Sequence, residues 1–168
     1  MNNIKNDLFE FTVGDDGIGI LVINQVNNPT NLFSNAFITS YLDVAEKAIA
    51  DESIAGVIVT SGRSMFMPGA DLRELKTMGG DPARQLEGML AMHARFRAIE
   101  TGGKPFVAAI NGTAMGGGLE LCLACHHRVV INSPKIKLGF PESKVGLLPG
   151  GGGTVKAPYL LGFQNGLT

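Results

Sequence analysis

The sequence predicts an α/β fold, because short apolar runs of strand length alternate along the chain with segments of helical periodicity. Apolar residues make up 45% of the 168 residues and charged residues 17%, so a single domain spanning residues 1–168 has enough apolar material for a sizeable core. Glycine accounts for 23 residues, and these are clustered. Clustered glycines indicate specialised turns between the elements and argue against low-complexity disorder.

The first half of the chain alternates strands with helices. Residues 17–24 form an apolar run bounded by turn residues, which predicts an early strand. The apolar positions within 34–51 follow helical spacing, and Ser34 is a suitable N-cap. Residues 55–60 predict a short buried strand, and a short helix is expected to begin after Asp71.

A longer helix and another buried strand follow. Asp81 and Pro82 suit the N-cap and first positions of a helix that runs to about residue 100. Residues 105–111 predict the next buried strand, which leads through the triple glycine 116–118 into a further helix. This order of elements agrees with the α/β fold class.

The last third of the chain mixes short strands and turns. Residues 127–131 and 135–138 predict two strands around a turn at 132–134. No regular element is assigned to residues 160–168, although apolar residues continue almost to the end. We interpret this as a chain that continues further, or that packs against something else.

Charge and hydropathy exclude several classes of partner. The net charge is −1 and the basic residues are scattered, which argues against binding to nucleic acid. The N-terminus is polar, without an apolar signal region, and no apolar run approaches about 18 residues, so we expect no membrane span. We expect a cytoplasmic location, or the mitochondrial matrix if the chain comes from a processed eukaryotic protein.

One short motif suggests a different function. Cys122, Cys125 and His126 match the spacing of a c-type haem attachment site, so an electron carrier is an alternative. The same residues continue an apolar helical pattern, in which cysteine usually acts as a small buried hydrophobe. His126 and His127 have no carboxylate at ligand spacing, and His93 is a weaker candidate. We interpret these histidines as structural and expect no metal site.

Two glutamates lie in unusually apolar, glycine-rich surroundings. Glu120 follows the triple glycine 116–118, and Glu142 follows Gly-Phe-Pro at 139–141. Burial of an unpaired carboxylate is costly, so this placement indicates acid–base chemistry, although both side chains could also be solvated at loop ends. Glu120 is close to a helix N-terminus, so we expect it to stay ionised and act as a base. Desolvation is expected to keep Glu142 neutral, as an acid.

Two glycine turns offer backbone donors. The triple glycine opens a helix whose first N–H groups lack partners within the helix, and such a terminus can bind an anion. A second turn, 69–71, also follows a buried strand. Each turn alone is typical of an ordinary helix start, but together they could supply the two converging donors that a polarised carbonyl oxygen requires.

Four motifs together carry a family resemblance. In chain order they are Gly69-Ala70-Asp71, the segment 111–120, Pro141-Glu142 and the segment 146–154. This combination resembles the crotonase (enoyl-CoA hydratase/isomerase) superfamily over about residues 17–162. The stretch 119–130 is most similar to the hydratase part of multifunctional fatty-acid oxidation proteins, which usually continue into a 3-hydroxyacyl-CoA dehydrogenase part.

The resemblance implies a crotonase-like (ClpP/crotonase) spiral of β-β-α units and a coenzyme A thioester as substrate, with no separate cofactor. It implies that the amides of Ala70 and Gly117 hold the thioester oxygen. Glu120 would activate water for attack at C3, and Glu142 would deliver a proton to C2. The coenzyme A arm would lie against Ala70, Asp71, Leu72 and Arg73, and Gly150 would help to position the water.

The expected function is therefore enoyl-CoA hydratase of fatty-acid β-oxidation, since family members with two glutamates at these positions are typically hydratases. The alternatives are an isomerase on the same scaffold and a non-catalytic fragment that associates with a partner. The family's C-terminal helices, which complete the acyl pocket and form trimer contacts, have no counterpart before Thr168. We therefore expect a C-terminally truncated domain, and a homo-oligomer or larger fatty-acid oxidation complex for the complete protein. Acyl chain length and a following dehydrogenase part stay open.

Overall fold

The computed structural model describes residues 1, 3–77 and 80–166. Its strands and helices follow one another along the chain as an α/β alternation. They are β1 (Ile4–Lys5), β2 (Phe9–Val13), β3 (Ile18–Ile23), α1 (Asn35–Ala50), β4 (Gly56–Ser61), α2 (Leu72–Thr77), α3 (Pro82–Thr101), β5 (Phe106–Ile110), β6 (Ala114–Met115), α4 (Gly117–Ala124), β7 (His127–Val130), β8 (Leu138–Gly139), α5 (Gly153–Leu161) and α6 (Phe163–Gly166). A 3-10 turn at Glu142–Val145 lies between β8 and α5.

The main sheet has six strands in the order β1-β2-β3-β4-β5-β7. The β1–β2 and β2–β3 pairs are antiparallel, whereas β3–β4, β4–β5 and β5–β7 are parallel. Helices connect the parallel strands, as such connections require. Strands β6 and β8 form a second, two-stranded parallel sheet. Parallel strands end at the same edge of a sheet, so the loops that follow β3, β4 and β5 are neighbours.

The core lies between the sheet and the helices. Helix α1 buries one apolar face, and its Phe37 packs edge-on against Phe9 of β2 with 6.5 Å between ring centroids. The ring of Phe37 also stacks on Tyr41 at 5.9 Å. Such aromatic pairs add to the stabilisation that burial itself supplies. Helix α1 therefore packs closely against this face of the sheet.

The predicted helix starts are confirmed. The Ser34 side chain accepts a hydrogen bond from the Phe37 N–H, so Ser34 caps α1. The Asp81 side chain accepts from the Ala83 N–H, and Pro82 is the first residue of α3. These caps satisfy donors that a helix leaves unpaired at its N-terminus. Within the described part of the chain, no helix is both long and apolar enough to cross a bilayer.

Two expectations near the end of the chain are wrong. The predicted strand at 135–138 is a turn, in which the Ile136 N–H donates to the Ser133 carbonyl, and only Leu138 and Gly139 pair as a strand. The segment 160–168, to which no element was assigned, contains the end of α5 and the single turn α6, while residues 167–168 lie outside the described residues. The first difference depends on pairing with the distant strand β6, which local patterns do not encode, whereas α6 packs against the adjacent helix α5.

A buried asparagine joins the ends of β3 and β4. The Asn31 Nδ2 group donates to the Ile23 carbonyl (3.2 Å), the Ser61 hydroxyl (2.9 Å) and the Phe66 carbonyl (3.1 Å). Its Oδ1 accepts from the Gln25 N–H at 3.1 Å. Asn31 has no exposed surface, so these bonds are made away from water. The asparagine thereby anchors the loop that follows β4 to the sheet.

We predict that Asn31→Ala lowers the free energy of unfolding by about 2 kcal/mol, because buried backbone groups lose their partners. Urea denaturation monitored by circular dichroism measures the change. Asn132→Ala, at an exposed asparagine, is the matched control and is expected to change the stability by less than about 0.5 kcal/mol. Equal stabilities of the two variants would show that the Asn31 network contributes little.

Candidate active site

Two loops at the carboxyl edge of the parallel strands are in direct contact. The Met67 N–H in the loop after β4 donates to the Thr113 carbonyl (3.1 Å), and the Met115 N–H donates to the Met67 carbonyl (3.0 Å). Gly118 permits an even closer approach, since a Cβ atom there would lie 2.3 Å from the Met67 carbonyl oxygen. Only glycine has no Cβ, so the triple glycine allows the two loops to meet.

This contact brings Ala70 and Gly117 to one place. The Phe33 N–H donates to the Gly69 carbonyl and the Phe33 carbonyl accepts from Asp71, in a parallel bridge centred on Ala70. The Ala70 N–H therefore points away from Phe33. Gly117 is the first residue of α4, so its N–H has no acceptor within the helix. Both residues line the same cleft, where two donors can act on one oxygen atom.

Glu120 lies in the first turn of α4 and is only 3% exposed. Its Oε1 accepts hydrogen bonds from the Gly151 N–H (2.7 Å) and the Gly153 N–H (2.9 Å). Burial raises the pKa of the Glu120 carboxyl above its ordinary value, and the charge of Glu142 acts in the same direction. The two amide hydrogen bonds and the nearby His93 oppose this rise in pKa without cancelling it.

Glu142 opens the 3-10 turn and faces the glycine cluster from the other side. A Cβ atom at Gly116 would lie 2.8 Å from the Glu142 Oε1, so the carboxylate sits directly over the glycine backbone. The Oε2 atom is buried and makes no hydrogen bond to any of the described residues. A buried polar atom of this kind requires an explanation in native proteins, and a role in binding or reacting with a substrate supplies one.

The environments of the two glutamates differ from the expectation. We expected desolvation at Glu142 and an ionised Glu120 stabilised by the helix terminus. The structure instead buries Glu120 more deeply and raises its pKa by desolvation, while Glu142 is half-buried. The reason is tertiary, because the segment 151–153 packs over Glu120 from more than 30 residues away.

One cleft of about 550 Å³ collects most of the predicted site residues. Those that line it are Ala70, Asp71, Gly117, Glu120, Glu142 and Gly150. Leu72 and Arg73 do not line it. Leu72 is 53% exposed, and Arg73 is paired with Asp71 at 2.8 Å and donates to the Asn28 side chain at 3.0 Å. Leu72 and Arg73 therefore lie at the surface, on the helix that follows the Ala70 turn.

Apolar side chains that the sequence did not single out form the rest of the cleft wall. They come from α1, α3 and the loop before Gly150, and they include Ile38, Leu42, Met89, Met92 and Leu147. A concave site with apolar walls and a few convergent polar groups is typical of a ligand pocket. The arrangement can hold an apolar group next to the two carboxylates.

The cysteine motif does not fit haem attachment. Cys122 and Cys125 are buried, and their Sγ atoms contact the carbonyls of Gly118 (3.2 Å) and Leu121 (3.6 Å). Burial raises the pKa of the Cys125 thiol to about 12, so it stays protonated and unreactive. The His126 Nδ1 accepts a hydrogen bond from a backbone N–H at 3.1 Å. Among the described residues, no group of three or more metal-ligating side chains is found.

Two site residues were not predicted from the sequence, and a third, His93, was only a weak candidate for catalysis or metal binding. Gly151 and Gly153 bind the Glu120 carboxylate through their amides. The glycine cluster at 150–153 is visible in the sequence, but nothing local links it to Glu120. The His93 Nε2 lies 2.5 Å from the Gly150 carbonyl oxygen, and no sequence signal marked this contact.

Comparison with known proteins places this geometry in a family. The sequence model of the enoyl-CoA hydratase/isomerase family matches residues 16–166. The fatty acid oxidation complex subunit alpha of Idiomarina loihiensis is 40% identical over 166 residues, which cover 98% of this chain and 23% of that protein. The corresponding subunit of Shewanella halifaxensis is 42% identical over 161 residues, 95% of this chain and 22% of that protein.

Solved structures agree with the sequence comparisons. The crystal structure of an enoyl-CoA hydratase from Geobacillus kaustophilus superposes with a TM-score of 0.87 at 28% identity, covering 98% of this chain and 61% of that one. The enoyl-CoA hydratase from Thermoplasma volcanium gives a TM-score of 0.82 at 27% identity, covering 96% and 62%. The chain thus spans less than a quarter of the two oxidation-complex subunits and about three fifths of the hydratases. Because the family match extends over nearly all of its residues, this chain belongs to the enoyl-CoA hydratase/isomerase family.

Proposed function

We propose that this chain is an enoyl-CoA hydratase domain, which adds water across the 2,3 double bond of a 2-enoyl-CoA. The observation that carries the proposal is the placement of two carboxylates, Glu120 and Glu142, in one cleft beside the amides of Ala70 and Gly117. Addition of water to a conjugated thioester requires a base for the water, a proton donor for carbon and donors for the thioester oxygen. The cleft contains a group for each task.

Glu120 is assigned as the base. Its Oε1 is occupied by the Gly151 and Gly153 amides, which leaves Oε2 to accept a proton from water. A carboxylate whose pKa is raised by burial binds a proton more strongly than an ordinary glutamate, so it is a better base in its ionised form. The hydroxide equivalent attacks C3, and the electron pair of the double bond moves to the thioester oxygen.

The remaining steps balance the reaction. The Ala70 and Gly117 amides stabilise the negative charge on the thioester oxygen, a type of contribution worth about 3 kcal/mol for a well-placed donor. Glu142 then delivers a proton to C2 as the carbonyl re-forms. Glu142 therefore enters the reaction protonated, and the proton that Glu120 takes from water must pass to Glu142 to restore both groups. One water molecule is consumed, and a hydroxyl group is added at C3 and a hydrogen at C2.

Family membership supports the proposed substrate and context. We place the coenzyme A arm along Ala70, Asp71, Leu72 and Arg73, the acyl chain against the apolar cleft wall, and Gly150 beside the attacking water. Coenzyme A is part of the substrate, so no separate cofactor is invoked. Since the curated relatives are named as subunits of a fatty acid oxidation complex, we propose that the complete protein works in β-oxidation within such an assembly, in the cytoplasm.

An isomerase that moves a double bond would use the same cleft, and a single carboxylate can carry a proton between carbons. The second carboxylate favours hydration, because water must be activated while carbon is protonated. The complete protein is therefore assayed with 2-enoyl-CoA and with 3-enoyl-CoA. Loss of absorbance at the conjugated thioester band with the first substrate indicates hydration. Gain of that band with the second, without hydration of the first, would overturn the proposal in favour of isomerisation.

We predict that Glu120→Gln and Glu142→Gln each lower kcat for hydration by about 10²- to 10⁴-fold, since each removes an acid–base group. The rate of loss of the conjugated thioester absorbance measures the effect. Glu52→Gln, at an exposed glutamate away from the cleft, is the matched control and is expected to leave kcat unchanged. Full activity in either cleft variant would refute the two-carboxylate mechanism.

The raised pKa of Glu120 predicts the pH dependence of catalysis. As the pH falls through this pKa, the base becomes protonated and activity is lost. The acid limb of the profile of kcat/KM against pH is therefore expected to lie above about 4.3, the ordinary value for a glutamate side chain. A limb at or below the ordinary value would show that ionisation of Glu120 does not control the rate.

The same shift predicts a gain in stability from Glu120→Gln. Because the pKa of Glu120 is higher in the folded state than in the unfolded state, its ionisation destabilises the fold above the unfolded-state pKa. The variant is expected to be more stable than the wild type at neutral pH. The part of this difference that comes from ionisation narrows as the pH falls through the folded-state pKa and vanishes below the unfolded-state pKa. Denaturation curves at several pH values test this. A less stable variant at neutral pH would contradict it.

A further inference from the structure

One peptide group connects a histidine to the buried glutamate. The His93 Nε2 on α3 lies 2.5 Å from the Gly150 carbonyl oxygen. Gly150 is followed by Gly151, whose backbone N–H donates to the Glu120 Oε1 at 2.7 Å. The carbonyl of Gly150 and the N–H of Gly151 belong to the same planar peptide unit. The histidine therefore holds one end of the dipole whose other end binds the carboxylate.

We propose that His93 is a positioning residue, which sets the orientation of the Gly150–Gly151 peptide and through it the placement of the Glu120 carboxylate. The predicted effect of His93 on the rate of hydration rests on the function proposed above. Its predicted effect on the orientation of the Gly150–Gly151 peptide does not. No step of the reaction requires His93 to exchange a proton. It acts through the peptide.

The direction of the hydrogen bond follows from the groups involved. A carbonyl oxygen only accepts, so the His93 Nε2 must carry the hydrogen. Both the imidazolium and the neutral imidazole protonated at Nε2 satisfy this requirement. The contact between His93 and Gly150 is consequently preserved whichever of these two forms is present.

A glycine peptide needs such a restraint. Gly150 and Gly151 have no side chains, so steric resistance to rotation of the peptide between them is small. Rotation would turn the Gly151 N–H away from Glu120 and bring the Gly150 carbonyl towards the carboxylate, replacing an attractive dipole with a repulsive one. The hydrogen bond from His93 favours the orientation seen in the structure. The Gly153 amide, at 2.9 Å, would be left to hold the carboxylate alone.

Helix α3 is suited to hold His93 in place. Its residues 82–91 are exposed, whereas Phe96 and Ile99 are buried in the core close to His93. At the end of the helix, Glu100 forms an ion pair with Lys156 of α5. Helix α3 is thus attached to the core and to α5 by the turns that follow His93.

Charged residues that follow His93 on α3 form ion pairs with other described residues. On α3, Arg95 pairs with Asp43 and Glu46 of α1, and Arg97 pairs with Glu100. Glu100 also pairs with Lys156 of α5. On the cleft side, Glu120 interacts with Glu142 and with His93, and the positive charge of His93 would lower the pKa of Glu120. Removing His93 therefore removes a hydrogen bond to the peptide and, where the imidazolium form is present, a charge that favours ionised Glu120.

The test compares His93→Leu, which removes the donor, with His93→Gln, which keeps an N–H donor. The Leu variant is expected to lower kcat by about tenfold, the size of effect that loss of one oriented hydrogen bond produces, with KM nearly unchanged. In the profile of kcat/KM against pH, the acid limb of the Leu variant should move to higher pH. The reason is that the ionised form of Glu120 loses a stabilising hydrogen bond. The Gln variant should regain most of kcat. His127→Leu, at an exposed histidine, is the control.

A second readout is independent of activity. Hydrogen exchange of the Gly151 amide, followed by NMR, reports the orientation of the peptide directly. We expect exchange at Gly151 to be at least about tenfold faster in His93→Leu than in the wild type, and close to the wild-type rate in His93→Gln. The Gly153 amide serves as the internal reference, because its donor does not belong to the peptide that His93 binds.

The outcomes separate this inference from the proposed function. If the wild type hydrates 2-enoyl-CoA but His93→Leu keeps the wild-type acid limb and Gly151 exchange, the positioning role is refuted and the hydratase function stands. A fall in kcat without either change would also refute it, as a general effect on packing. If the wild type does not hydrate 2-enoyl-CoA, the proposed function fails, and exchange at Gly151 alone decides the role of His93.

Discussion

The burial of the Glu120 carboxylate among backbone amides is the constraint on which the rest of the site depends. An ionised carboxylate is costly to remove from water unless hydrogen bonds replace its hydration. In this chain the replacements are the N–H groups of Gly151 and Gly153, at 2.7 and 2.9 Å. These amides can approach because side chains at Gly151 and Gly153 would collide with Glu120 and Phe140. The glycine cluster and the buried charge are therefore one structural feature.

The parallel sheet supplies the rigid support for this feature. Strands β4 and β5 end side by side, and the loops that follow them meet where Met67 pairs with Ala114. Asn31 ties the first of these loops to the ends of β3 and β4. Catalytic groups are held more accurately when their loops are fixed in this way. The same rigid sheet thus supports the Ala70 amide, the Gly117 amide and Glu120, although Ala70 is far from the other two in the sequence.

The elements that could be predicted are those with short-range signals. The caps at Ser34 and Asp81 act within one helical turn, and the apolar runs of β3, β4 and β5 are continuous, so local patterns were sufficient. The expected strand at 135–138 failed because only its last residue, Leu138, pairs with β6. Strands β1 and β2 were not identified, since strand formation depends on pairing with other segments.

The sequence by itself determined which residues are the candidates for chemistry. Two glutamates in glycine-rich apolar segments, and two glycine turns after buried strands, were recognisable because each motif is contiguous. Only the tertiary structure decided how they are used. Glu120 is the more deeply buried carboxylate because Gly151 and Gly153 cover it from 31 and 33 residues away, and His93 reaches Gly150 across 57 residues. Desolvation depends on every atom that surrounds a group, and most of those atoms come from distant parts of the chain.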